Sequence, residues 1–124
     1  MAREQKARIV EDLTDKLARA SFVALTDFRG LNVADMESVR RRLREAGVEY
    51  RVAKNTLIRF AAQRVGRDAM VPQLVGPTAL ALGYGDPVDA AKALREALRA
   101  MRTLSVRGAV LDNRLLSPEE VNRL

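Results

Sequence analysis

Between Val48 and Arg64 the apolar residues change their spacing without a break. Val48, Tyr50 and Val52 alternate with Glu49, Arg51 and Ala53, the period of a half-buried strand. Leu57, Ile58, Ala61, Ala62 and Val65 then recur at helical spacing. Gly66 follows as a C-cap, because glycine takes the left-handed conformation without strain. A strand therefore runs straight into a helix, with basic and amide side chains at the join. Asn55 or Thr56 can cap that helix. The backbone N–H groups at its start have no partner one turn back and form a weak anion site. Arg51, Lys54 and Arg59 lie close to it. Backbone donors and cations around one helix start suit a phosphate, and a row of phosphates is a nucleic acid.

The same two periods recur along the rest of the chain. Residues 3–20 carry Ile9, Val10, Leu13 and Leu17 on one helical stripe. Phe22–Asp27 is a continuous apolar run, expected as a central strand buried on both faces. Phe28 to Leu31 is a tight connection in which Gly30 supplies a positive φ or a close approach. Asn32 caps the next helix, whose stripe is Val33, Met36, Val39 and Leu43. On that helix Glu37 and Arg41 can pair at i,i+4. Residues 67–74 read as a helical turn around Pro72, and Val75-Gly76-Pro77 as a turn. A third strand, 78–84, leads to a helix capped by Asp86 with Pro87 in its first position. Val88, Ala91, Leu94, Leu98 and Met101 form its stripe. A fourth strand covers 104–111, Asp112-Asn113 turn it, and Leu115-Leu116 pair back. Ser117, Pro118 and Glu120 make a capping box that opens one more helix.

This order predicts an α+β fold: a ferredoxin-like βαββαβ two-layer sandwich with an extra N-terminal helix and an inserted helix. Residues 1–116 form the domain, and 117–124 are expected to begin a C-terminal helical segment that a longer natural protein continues past Leu124; a short terminal helix docked on the domain is the other reading.

Charge narrows the function. The formal net charge is +6, and residues 29–67 alone carry ten basic against four acidic side chains, so the whole excess sits there. A segregated positive field favours an acidic partner, although a face needed only for solubility would have the same composition. Neither cysteine nor histidine is present, which removes disulfides, thiol nucleophiles, the usual zinc ligands and the commonest general base. The pairs Asp12/Asp15 and Asp86/Asp89 fall on helix faces or caps and read as structural. The glycines near strand ends match neither a Walker loop nor a dinucleotide fingerprint, so no cofactor and no catalysis are expected. No apolar run is long enough to span a bilayer, and no signal peptide is visible, so cytoplasm is the default compartment. With only two tyrosines, three phenylalanines and no tryptophan, a base-stacking platform is not expected. A basic face with few aromatics favours folded RNA, held by phosphate, shape and 2′-hydroxyl contacts.

Three segments in order, Asp27-Phe28-Arg29-Gly30-Leu31, Tyr50-Arg51-Val52-Ala53-Lys54-Asn55-Thr56-Leu57-Ile58-Arg59 and Val75-Gly76-Pro77-Thr78, carry a resemblance over essentially the whole chain. The sequence resembles the family of the bacterial stalk-base protein of the large ribosomal subunit, protein "L ten". The resemblance implies a non-enzymatic, ribosomal protein. Its N-terminal domain would bind large-subunit ribosomal RNA at the GTPase-associated region, near protein "L eleven". Acidic stalk protein dimers would be anchored through a later C-terminal helix. It also implies the RNA-binding residues: Arg29 and Gly30 in the Arg-Gly loop, then Lys54, Asn55, Thr56 and Arg59 at the strand-to-helix contact, with Arg51 just before. Lys54 stands where many members have arginine, which keeps the charge and loses the bidentate fork. A ribosome-assembly factor sharing the domain is the alternative.

Overall fold

The computed structural model describes residues 2–111 and 114–124. The turn expected at Asp112-Asn113 lies outside the described residues. The elements run α1 (Arg3–Arg19), β1 (Phe22–Asp27), α2 (Val33–Glu45), β2 (Val48–Val52), α3 (Asn55–Arg64), a 3-10 turn (Asp68–Gln73), β3 (Ala79–Gly83), α4 (Pro87–Ala100), β4 (Ser105–Leu111), β5 (Arg114–Leu116) and α5 (Pro118–Asn122). The strands make one antiparallel sheet in the order β2-β3-β1-β4-β5. Without β5, that is the ferredoxin-like order, with α3 and the 3-10 turn inserted between the paired strands β2 and β3.

Side-chain alternation divides the core into two halves. Phe22 and Ala24 of β1, Val48 and Tyr50 of β2, and Ala79 and Ala81 of β3 face one way. They meet Val39 and Leu43 of α2, Leu94 of α4 and Val121 of α5. Val23 and Leu25 of β1, with Leu80 and Leu82 of β3, face the other way. They meet Leu13 and Leu17 of α1, Leu57 and Ile58 of α3, and Met70. The two additional helices thus form a further layer on the second sheet face. Every residue of β1 is buried, as its unbroken apolar run requires.

Two helical stripes differ from their expected form. Val33, in the first turn of α2, is 76% exposed rather than buried, and Met36 only borders the core. In α4 Val88 is likewise exposed. Ala90, Ala91, Leu94 and Ala97 make its buried face instead. Small residues are needed there because the helix sits against the sheet: a Cβ on Gly83 would come within 2.6 Å of the Ala90 Cβ. No ion pair joins Glu37 and Arg41 among the described residues.

Candidate nucleic-acid interface

Pairing register brings the functional loops to one end of the sheet. Ala79, which opens β3, pairs with Thr26 on one side and Val52 on the other. Ser105, which opens β4, pairs with Asp27. The connections 28–32, 53–54, 74–78 and 101–104 therefore meet there. These connections contain parts of all the segments that carry the family resemblance, though the segments are far apart in the chain.

At the join, α3 starts at Asn55 and Lys54 is its N-cap, in extended conformation with no side-chain cap hydrogen bond. Neither Asn55 nor Thr56 is the cap expected from the sequence. Both are already helical. Asn55 Nδ2 instead donates to the Gly76 carbonyl at 2.8 Å, tying the helix start to the turn before β3. Asn55 Oδ1 is buried and has no hydrogen-bond partner among the described residues. Beside it opens a cleft of about 560 Å³, lined by Ile9, Phe28, Val52, Leu57 and Pro77 as well as Arg51, Lys54, Asn55, Thr56 and Thr78.

The expected cations differ in their freedom. Lys54 and Arg59 are exposed, and the Arg59 guanidinium lies 5.5 Å from the Phe60 ring centroid. Arg59 sits one helical turn beyond Asn55, outside the cleft lining. Arg51 is half-buried and pairs with Asp12 at 3.4 Å, and Asp12 also binds Lys16 at 3.1 Å. Arg29 stands in the neighbouring loop. Its side chain is 72% exposed, yet it holds Asp27 through Nε at 2.9 Å and Nη2 at 2.6 Å. That pairing, with a bond from the Arg29 amide, keeps Asp27 below the usual carboxylate range. Gly30 follows with φ of 91°, the left-handed conformation a side chain would strain. Arg40, Arg41 and Arg44 form a separate patch on α2 with Glu37. The structure thus gathers Arg51, Lys54, Asn55 and Thr56 in one cleft, puts Arg59 and the Arg29-Gly30 loop beside it, and leaves Arg40, Arg41 and Arg44 apart.

One organising residue escapes the sequence reading. Arg107, on β4, donates to the carbonyls of Gln73 at 2.9 Å and Thr26 at 3.2 Å, and to Thr78 Oγ1 at 3.0 Å. It also bonds the carbonyls of Val75 and Pro77. A single guanidinium thus fastens the 73–78 segment to the sheet. Burial pushes its pKa down and Asp27 pulls it back, and arginine remains charged in any case. The available signal was a lone cation inside the apolar run of β4.

The sequence model described as Ribosomal protein L10 matches residues 1–98. The chain belongs to the ribosomal protein L10 family. Among curated L10 relatives, it is 50% identical to the large ribosomal subunit protein uL10 of Thermomicrobium roseum, over all of this chain and 69% of that protein. It is 43% identical to the uL10 protein of Acidothermus cellulolyticus and 42% to that of Geotalea uraniireducens, covering 72% of each. The L10 family is made of structural ribosomal proteins rather than enzymes.

Proposed function

We propose that this chain is a structural constituent of the large ribosomal subunit whose sheet end grips large-subunit ribosomal RNA at the GTPase-associated region. The supporting observation is the convergence of the 27–31, 50–59 and 75–78 segments on that one end. Lys54 and Arg59 meet phosphates directly, and the uncapped amides at the start of α3 add neutral donors. Arg51 and Arg29 contribute less charge each, since Asp12 and Asp27 already share it. Asn55, Thr56 and Gly30 fix the backbone that sets the register of docking. Protein "L eleven" lies nearby on the same RNA, and the assembly is cytoplasmic. Residues 1–116 are the RNA-binding domain. The chain covers 69–72% of the uL10 relatives named above, and a later helical segment of the full-length protein anchors the acidic stalk dimers.

Neutralising about five phosphates gives a log–log salt slope of roughly −3.5 to −4.5. Lys54→Ala with Arg59→Ala should flatten it by about one to two units. An unchanged slope in a filter-binding titration removes both residues from the interface.

A further inference from the structure

The cleft at the sheet end has more carbon surface than phosphate contacts use. Ile9, Phe28, Val52, Leu57 and Pro77 wall it, and Val52 is left 37% exposed. A phosphate needs donors, and those are found at the rim, on Lys54, Arg51 and the start of α3. An apolar slot beside cations matches a group that is itself flat and apolar-faced yet carries negative charge on its tether. A nucleobase is such a group. The volume, about 560 Å³, lies within the range that holds small organic ligands. Phe28 is the aromatic side chain of its lining. The Asn55 amide is anchored behind the cleft by its bond to the Gly76 carbonyl, which fixes that wall in place.

Resting on the RNA-binding reading above, we propose that this cleft receives one unpaired nucleobase of the bound RNA, turned out of its stack. Sequence-specific RNA recognition works on such splayed bases in loops and bulges. The base lies against Phe28 between the apolar walls, and Lys54 and Arg51 hold the phosphates on either side. This is a single slot, not a platform, so it needs only one aromatic ring. It gives the interface a base-reading element that charge alone cannot supply.

The test pairs two measurements on the ribosomal RNA fragment of the stalk base. First, single abasic nucleotides are placed at each unpaired position and titrated against the unaltered protein. One position should lose roughly tenfold or more in affinity. Second, Val52→Trp fills the cleft from a partly exposed strand end without removing a charge. It should weaken binding by a similar factor, leave the salt slope unchanged, and make the sensitive abasic position indifferent. Circular dichroism and the urea midpoint check that this variant folds, and the abasic series does not depend on it. A normal slope with no sensitive abasic position overturns the cleft proposal alone. So does a folded Val52→Trp protein that binds as tightly as the parent. Absence of any salt-dependent binding by the parent sinks the RNA-binding reading itself.

Discussion

Replacing Arg107 with methionine tests whether one guanidinium holds the interface end together. Methionine keeps much of the aliphatic stem and removes every donor. The side chain serves the carbonyls of Gln73, Thr26, Val75 and Pro77 and the Thr78 hydroxyl. The bonds to Val75 and Pro77 are exposed, and water replaces them at little cost. Those to Gln73, Thr26 and Thr78 are part-buried. Bonds from a charged donor contribute about 1.5–3 kcal/mol each when the acceptor is shielded. Releasing the cation's own desolvation offsets part of the loss, since burial already disfavours its charge. A net loss of about 2–3 kcal/mol follows from these opposing contributions. For a 124-residue domain each kcal/mol moves the melting point by about 4 °C, so the midpoint should fall by about 8–12 °C. Far-UV circular dichroism with heat and urea measures it. Arg107→Lys should recover only part, because a point charge cannot reach divergent carbonyls at once. A methionine variant within about 0.5 kcal/mol of the parent, the scatter of ordinary surface changes, would refute the reasoning.

Other perturbations probe separate features. Gly83→Ala puts a Cβ 2.6 Å from that of Ala90, so α4 must shift. The urea midpoint should drop by the equivalent of about 1–3 kcal/mol. Glu49 is pushed up by burial, but hydrogen bonds from Lys16 and Tyr84 outweigh this and leave its pKa below the ordinary 4.5. Its stabilisation is therefore complete above 4.5 and is lost as pH falls through the lower folded value. Glu49→Gln should accordingly be less stable near neutrality and show a shallower acid limb in urea titrations from pH 6 to pH 2; parallel curves would argue against the network. Asp27→Asn removes the carboxylate that Arg29 grips at 2.6 Å. It should leave Arg29 more available and steepen the salt slope of RNA binding by up to about one unit, a change that filter binding would register.

Much of the fold was legible because its periodicity is local. The apolar run of Phe22–Asp27 made β1 central, and the change of spacing after Val52 marked β2 passing into α3. Cap chemistry placed α2, α4 and α5: Asn32, Asp86 and Ser117 each accept the hydrogen bond their side chains predict. Where residues of the wrong size had to meet a neighbour, reading failed. Val88 fits the periodic stripe of α4 but is exposed, while alanines take the contact that only small side chains permit. Asn55 reads as a cap by type, but the Gly76 carbonyl, distant in sequence, claims its amide.

The chain by itself determined its elements, its excess of positive charge and its family, because these depend on residue type and spacing over short stretches. Tertiary structure alone decided that the loops after β1, β2, 3-10 turn and α4 share one end of the sheet. It also decided which cations stay free there and which are taken by Asp12 and Asp27. The physical reason is that strand register and charge pairing are properties of neighbours in space, and strands distant in sequence set them.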